Sequence, residues 1–278
     1  MEVRISDNAG FCFGVKRAMK MAWNEVNEKE NVYSLGPLIH NTQVVSKYEG
    51  MGLNTVNELE SVPTGTHMII RSHGVGESVY KESEQKNLDV IDTTCPFVKK
   101  IHNIVKEYKS RGYKIIVIGD KDHPEVIGIN GWCGDSATII NTISELRDLD
   151  LDKSKNYCVV AQTTLNSSLY NEITEELKNM GVDIILNDTI CSATKERQES
   201  AKRLANEVDC MVVIGGRHSS NTQKLVKVCE GFVPTFAIET SAELDDEKLS
   251  EFSIVGVTAG ASTPDWIIEE VIKHLENI

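Results

Sequence analysis

The sequence lacks the long apolar runs, the basic surplus and the paired cysteines that mark several large classes of protein. No apolar stretch approaches the roughly 20 residues of a membrane-spanning helix, and the opening MEVRISDNAG does not resemble a signal peptide. The net charge of −13, from 29 basic and 42 acidic residues, argues against nucleic acid as the main partner, because phosphate-backbone binding needs a basic surface. We therefore expect a cytoplasmic protein with neither a membrane nor a nucleic-acid partner.

The seven cysteines are scattered and odd in number, and none forms a CxxC pair, so a disulfide framework is not expected. Cys158 and Cys210 begin apolar, strand-like runs, and both are explained as buried small side chains. Cys133 and Cys229 carry no signal of their own. Only Cys12, Cys95 and Cys191 belong to a recurring pattern.

That pattern is an internal repeat, Cys-x-x-[Val/Thr]-Lys, which opens a helix-like stretch in each of three copies. An apolar strand and a polar turn with a histidine follow each helix. The histidines lie 28, 28 and 27 residues after the three cysteines, at these positions: His40, His123 and His218. A second strand in each copy ends in turns that contain His73, Thr163–Thr164 and Ser262–Thr263.

The alternation of strands and helices indicates a parallel α/β architecture. Copies one and two end in a strand that leads to the next cysteine, whereas copy three lacks this strand, and the N-terminal strand is expected to supply it. We predict three similar parallel-sheet units, arranged pseudo-threefold in a trefoil-like manner around a central cluster and cavity. Their boundaries are 12–94, 95–190 and 191–278, the last completed by 1–11. The alternative is one continuous doubly wound domain with chance similarities.

Three cysteines at helix starts suggest a metal centre. Ligands of parallel α/β units bind beyond the carboxyl ends of the strands, so the three cysteines are expected to converge. A helix N-terminus stabilises negative charge, and thiolates hold iron–sulfur clusters. Three thiolates would leave one iron of a four-iron cluster open. Zinc, and no metal at all, remain alternatives because the residues alone do not decide between them.

The histidine-bearing turns and the Arg217–Asn221 segment, taken together, resemble a pocket for a phosphate or diphosphate. No GxxxxGK[ST] motif is present, so this is not a P-loop. Glu125 follows the pocket histidine His123 by two residues, and it is the best candidate proton donor.

The ordered motifs of the chain resemble one family along nearly its whole length, from residue 2 to about residue 272. They are GFCFGVKRA, GPLIHN, RSHGV, DTTCPFVKK, HPEV, QTT, DTIC, SSN and TAGASTPDW. The family is LytB/IspH, whose activity is reduction of 4-hydroxy-3-methylbut-2-enyl diphosphate in the last step of the non-mevalonate (MEP) pathway of isoprene biosynthesis. The resemblance implies an oxidoreductase that removes the substrate hydroxyl as water and forms isopentenyl and dimethylallyl diphosphate.

The resemblance also implies the roles of individual residues. One [4Fe–4S] cluster per chain would be ligated by Cys12, Cys95 and Cys191, with the substrate oxygen bound to the open iron. Thr163 would orient the hydroxyl, Glu125 would deliver protons through it, and His123 would belong to the same shell. The other substrate contacts would be His40, His73, Ser219, Ser220, Asn221 and Ser262. Electrons would come from ferredoxin or flavodoxin, since no flavin or nicotinamide fingerprint is present.

Three other functions compete with a reductive dehydroxylase. A cluster-bearing hydro-lyase would remove water without a reductant, a redox sensor would have a cluster without a substrate pocket, and a zinc protein would contain no iron. One local difference from the family pattern is Asp122, which stands before His123 where a glycine is expected.

Overall fold

The computed structural model describes residues 1–278 and contains twelve strands, eleven helices and two short 3-10 turns. The strands form three separate four-stranded sheets in which every pairing is parallel. This arrangement confirms the predicted α/β class. The chain divides into two compact units: Met1–Lys16 with Ile39–Tyr48 and Ser192–Ile278, and Arg17–Leu38 with Glu49–Cys191. The predicted boundaries of three repeats stay a prediction.

The first unit contains one sheet, in the order β1-β12-β10-β11. Its strands are β1 (Glu2–Ile5), β10 (Cys210–Ile214), β11 (Thr235–Ile238) and β12 (Ile254–Ala259). Its helices are α2 (Thr42–Glu49), α8 (Ser192–Ala205), α9 (Ser220–Glu230), α10 (Asp246–Leu249) and α11 (Asp265–Leu275), with a 3-10 turn at Ser241–Glu243.

The core of this unit lies on both faces of the sheet, because successive side chains of a strand point to opposite faces. Val212 and Ile214 pack with α11 residues such as Val271, whereas Val213 packs with Leu225 of α9 and with α8. All five residues of β10 are buried. Covering of both faces explains why this strand reads as a continuous apolar run.

The second unit contains two sheets, in the orders β3-β2-β4-β5 and β7-β6-β8-β9. The strands of the former are β2 (Val32–Leu35), β3 (Asn54–Val56), β4 (His67–Ile70) and β5 (Asp89–Asp92). Those of the latter are β6 (Lys114–Ile118), β7 (Thr138–Ile140), β8 (Asn156–Ala161) and β9 (Asp183–Leu186). The helices are α1 (Phe13–Glu28), whose first residues belong to the first unit, α3 (Glu77–Gln85), α4 (Pro96–Ser110), α5 (Pro124–Gly131), α6 (Ile143–Arg147) and α7 (Ser167–Asn179), with a 3-10 turn at Leu59–Ser61.

The three sheets repeat one strand order along the chain. In each sheet the strand that comes first along the chain pairs with the second strand on one side and with the third on the other, and the fourth strand pairs with the third. In the third sheet β1 takes the place of the fourth strand, beside β12. The N-terminal strand therefore completes the third sheet, as predicted. Each helix of the fold is either too short or too polar to traverse a bilayer.

Candidate active site

The three motif cysteines have the same local setting. Each backbone N–H donates to a carbonyl that lies two residues after the end of a strand, β12, β4 or β8. The three bonds and their N···O distances are Cys12 to Ala261 (3.3 Å), Cys95 to Ser72 (3.0 Å) and Cys191 to Thr163 (3.0 Å). A helix begins directly after each cysteine. The repeat inferred from residue spacing is thus present in the hydrogen bonding of the backbone.

The other four cysteines are different in character. Cys133, Cys158, Cys210 and Cys229 are fully buried, whereas the three motif cysteines are half-buried. Burial raises the pKa of Cys158, Cys210 and Cys229 to about 12, and it also raises the pKa of Cys133. These four therefore remain neutral thiols, as expected for core side chains.

Glu125 and Thr163 form a buried pair in the second unit. Glu125 lies in the first turn of α5, and Thr163 lies in the turn after β8. The carboxylate accepts two bonds from Thr163, from the backbone N–H at 2.6 Å and from the hydroxyl at 2.7 Å. Glu125 is only 3% exposed. Because the Thr163 carbonyl accepts from Cys191, this threonine connects the carboxylate to a cysteine loop.

His123 is held beside this pair at the start of α5. Its Nδ1 accepts from the Glu125 backbone N–H at 3.1 Å, which makes it the N-cap of the helix. A neutral His123 therefore carries its proton on Nε2. The His73 ring meets the His123 ring edge to face, with the centroids 5.5 Å apart. The structure thus brings four predicted residues together in the second unit: His73, His123, Glu125 and Thr163.

In the first unit the predicted residues Ser219, Ser220 and Asn221 form the N-terminus of α9. Ser219 is the N-cap, and its hydroxyl accepts from the Thr222 N–H at 3.3 Å. Asn221 is 5% exposed, and its side-chain Nδ2 has no hydrogen-bond partner. A buried N–H without a partner costs free energy unless a ligand satisfies it. Together with the positive end of the helix, this donor suits an anion.

His40 and Ser262 lie close to each other in the same unit. The Ser262 hydroxyl donates to the His40 carbonyl at 3.3 Å. A Cβ on Gly216 would overlap that carbonyl, so the close approach of the two loops requires glycine. The next residue, Asn41, is 3% exposed, and its Nδ2 also lacks a partner. Asn41 is thus a second buried amide donor in this unit. Nothing in the neighbouring sequence indicated that this side chain is buried without a partner.

The structure corrects the predicted equivalence of His218. Strands β2, β6 and β10 are each followed five residues later by His40, His123 and Ser219. Ser219 lies 28 residues after Cys191, the same spacing as in the other two copies, and it caps α9 as His123 caps α5. His218 is exposed. The histidine in copy three stands one residue early and points to solvent.

Comparison with known proteins agrees with this pattern of residues. The family model of the LytB protein matches residues 3–276. The chain belongs to the LytB family. Relatives named 4-hydroxy-3-methylbut-2-enyl diphosphate reductase occur in Clostridioides difficile (63% identity, covering 100% of both chains) and Alkaliphilus oremlandii (50% identity, 100% of both).

Two solved structures are similar to this LytB-family chain. The E-1-hydroxy-2-methyl-but-2-enyl-4-diphosphate reductase from Plasmodium falciparum matches with a TM-score of 0.93 at 30% identity, over 98% of this chain and 87% of that one. An (E)-4-hydroxy-3-methyl-but-2-enyl diphosphate reductase, described as the terminal enzyme of the non-mevalonate pathway, matches with a TM-score of 0.72 at 39% identity over both full chains. The resemblance inferred from the motifs is confirmed.

The LytB-family site also rests on a residue that the sequence did not single out, His102 of α4. It occupies the apolar face of the helix with Val98, Ile101 and Val105, and its ring stacks on Trp132 with the centroids 5.3 Å apart. Gly74, directly after His73, packs so closely on His102 that an added Cβ would lie 2.6 Å from the ring, and its φ of +73° favours glycine. His102 therefore supports the turn that carries His73. Its place on an apolar helical face was the only available signal.

The buried ring of His102 makes acid stability testable. Burial lowers the pKa of His102 from 6.5 to about 4, with a smaller lowering by Lys99 that Asp92 opposes. Between these values the unfolded chain binds the proton and the folded protein does not, so stability falls as pH drops from about 6.5 towards 4. A shift of this size corresponds to about 3 kcal/mol. We expect wild type to lose about that much more unfolding free energy between pH 7 and 4 than His102→Gln, measured by urea unfolding.

Exposed His218, in the turn before α9, provides the control. His218→Gln should keep the acid sensitivity of wild type. Equal losses of unfolding free energy in wild type and His102→Gln would show that His102 does not titrate in this way.

Proposed function

We propose that this chain is a 4-hydroxy-3-methylbut-2-enyl diphosphate reductase. It takes an allylic diphosphate with a terminal hydroxyl, two electrons and two protons, and it releases water and isopentenyl or dimethylallyl diphosphate. Full-length identity of 63% to a relative of that name supports the assignment. The observation that carries it is the Glu125–Thr163 pair, which holds a buried carboxylate next to the loop of Cys191.

The proposed cofactor is one [4Fe–4S] cluster, held by Cys12, Cys95 and Cys191. The donor set fits this group. These three cysteines are half-buried at helix N-termini, whose positive partial charge favours an anionic, thiolate-bound cluster, while the other four are neutral core thiols. When bound, the cluster supplies electrons and an open, Lewis-acidic iron for the substrate oxygen.

Proton delivery is assigned to Glu125 and Thr163. Hydroxide is a poor leaving group, so the departing oxygen needs a proton. The Glu125 carboxyl passes its proton to the Thr163 hydroxyl at 2.7 Å, and Thr163 donates to the substrate oxygen. The Thr163 N–H bond to the same carboxylate keeps the acid in place during the transfer. His123, with its proton on Nε2, donates a further hydrogen bond to the substrate.

Binding of the diphosphate is assigned to the N-terminus of α9 and the neighbouring turns of the first unit. Ser219, Ser220 and Asn221 offer helix N–H groups, hydroxyls and a buried amide, and Ser262 adds a hydroxyl. His40 adds a ring donor, and the resemblance to the family implies a substrate contact from His73. The diphosphate is remote from the bond that breaks, so its binding energy serves to fix the geometry of the reacting end.

Asn221→Ala tests the anion site. Removal of a hydrogen bond to a charged group costs about 1.5–3 kcal/mol, so we expect the Kd for inorganic diphosphate to rise roughly 10- to 100-fold in isothermal titration. Exposed Asn171 of α7 gives a matched control, since Asn171→Ala removes the same group from a solvated helix. An unchanged Kd in Asn221→Ala would remove this amide from the binding site.

The proposed electron donor is ferredoxin or flavodoxin. None of the helices that follow the three cysteines has an acidic residue in its first turn, although the chain as a whole carries a charge of −13. Exposed Lys16 and Lys99 lie in the first turns of α1 and α4, although Lys99 is ion-paired with Asp92. Charge of this sign steers an acidic electron carrier towards the cysteine loops. Reduced ferredoxin should therefore support turnover with a rate that falls as salt rises, whereas a neutral dye should not show that dependence.

The decisive experiment is anaerobic purification, an iron count and turnover of the allylic diphosphate with and without dithionite-reduced dye. We expect four irons per chain and product only with reductant. Turnover without reductant would instead identify a hydro-lyase. A cluster without diphosphate binding would identify a sensor, and zinc without iron would identify a zinc protein.

A further inference from the structure

Arg197 of α8 is buried beside the loop that leads to Cys12. Its side chain is 3% exposed, and Nη2 donates to the Gly10 carbonyl at 2.7 Å. Nη1 donates to the Ala193 carbonyl on its own helix at 3.3 Å, which fixes the orientation of the guanidinium. Arg197 follows Cys191 by six residues, and Gly10 precedes Cys12 by two. The helix of one motif cysteine therefore holds the loop of another.

The Gly10 loop is fixed at several points. Gly10 has a φ of +90°, and an added Cβ would lie 2.9 Å from Ile268 Cδ1, so the position requires glycine. The N–H groups of Gly10 and Cys12 donate to the carbonyls of Ala259 and Ala261 at 3.4 and 3.3 Å. The guanidinium completes this set by binding the carbonyl of Gly10. Loss of Arg197 would remove the bond to the Gly10 carbonyl and leave the two N–H bonds of the loop in place.

Arg17 of α1 repeats the arrangement for Cys95. It follows Cys12 by five residues, and its Nη1 donates to the carbonyls of Thr93 and Thr94 at 3.3 Å each. These are the two residues directly before Cys95. Arg17 is half-buried and its bonds are longer, so we expect it to contribute less than Arg197.

The choice of a guanidinium has a physical consequence. A neutral amide could satisfy a single carbonyl without the cost of burying a full positive charge. A cluster held by three thiolates is anionic and gains a further negative charge on reduction, and nearby net charge is one of the factors that set the potential of an iron–sulfur cluster. A cation fixed in the ligand loop stabilises the reduced state more than the oxidised state.

We propose that Arg197 and Arg17 are positioning residues of the cluster, each of which fixes the loop of one cysteine ligand and raises the reduction potential. This inference rests on the proposed function, because it requires the cluster. It predicts that a neutral side chain at either position leaves a cluster that is harder to reduce and less firmly held.

The test compares the midpoint potential of the cluster, its EPR signal, iron per chain and turnover in Arg197→Met, Arg197→Lys and Arg17→Met. Arg197→Met should shift the potential to more negative values and lower kcat about 10- to 100-fold, the usual effect of removing an outer partner of a metal site. Arg197→Lys should restore most of the potential because it keeps the charge. Arg17→Met should shift the potential in the same direction by less.

Arg203 provides the matched control on the same helix. It is 62% exposed and lies 3.6 Å from Asp7, so Arg203→Met removes the same charge from a screened position and should keep the potential of wild type. An Arg197→Met protein with full iron and an unchanged potential would overturn the proposal. If that variant does not fold, Arg17→Met decides by the same measurement. Wild type without any cluster would instead refute the proposed function.

Discussion

Glu125→Gln is expected to lower turnover about 100- to 10,000-fold, the range typical of a general acid. Glutamine has nearly the same shape and can still accept the Thr163 N–H bond, which is 2.6 Å long in the carboxylate. Its amide nitrogen can donate to the Thr163 hydroxyl in place of the bond that the carboxylate accepts, but it has no acidic proton to pass on, so the proton transfer is lost. Steady-state kcat with a dye reductant, together with the iron count, measures the effect.

Glu175 of α7 supplies the control, because it is an exposed carboxylate in the same unit. Glu175→Gln should turn over as wild type does. The Glu125→Gln protein should retain its cluster absorbance and bind diphosphate normally, since neither depends on the proton. Near-normal kcat in Glu125→Gln would remove this residue from the mechanism.

Cys95→Ser is expected to abolish iron retention and, with it, turnover. A serine hydroxyl remains protonated where the cysteine would bind as a thiolate, and the cluster would keep only two ligands. The same result is expected for Cys12→Ser and Cys191→Ser. Iron per chain after anaerobic purification is the direct measurement.

The buried cysteines are the matched controls. Cys210→Ser places a hydroxyl in an apolar core, which costs about 1–3 kcal/mol of unfolding free energy when the group lacks a partner. Cys158→Ser should cost less, because the Asn187 side-chain amide that donates to the Cys158 sulfur at 3.4 Å is available to the hydroxyl. Both variants should nevertheless retain iron. Iron loss in Cys158→Ser with wild-type stability, or full iron in Cys95→Ser, would show that the ligands have been wrongly chosen.

Much of the fold could be predicted from the sequence because the same motif recurs three times with nearly constant spacing. Spacings of 28, 28 and 27 residues aligned the strand–helix units. The lack of a last strand in copy three indicated that β1 completes that sheet, where it pairs with β12. The apolar runs that begin at Cys158 and Cys210 indicated buried strands, which are β8 and β10 in the structure. These signals lie within short segments of the chain. In parallel α/β units the order of strands and helices along the chain is enough to predict the sheet.

The rest depends on contacts between residues far apart in the chain. The bond from Arg197 to Gly10 spans 187 residues, and no pattern in either segment indicates it. The sequence shows His102 only as one residue of an apolar helical face, and its contact with Gly74 is seen only in the structure. The prediction that His218 is equivalent to His40 and His123 was wrong for another reason. It followed residue type, whereas the fold keeps the spacing of 28 residues and places Ser219 at the equivalent position.

The pairing of β1 with β12 also affects the order in which the molecule can be made. Cys12 is translated before every partner that fixes its loop, namely Arg197, Ala259 and Ala261. The sheet that contains β1 cannot form until β12 has emerged. A nascent chain therefore exposes the Cys12 loop without these supports until β12 and the turn after it have been made.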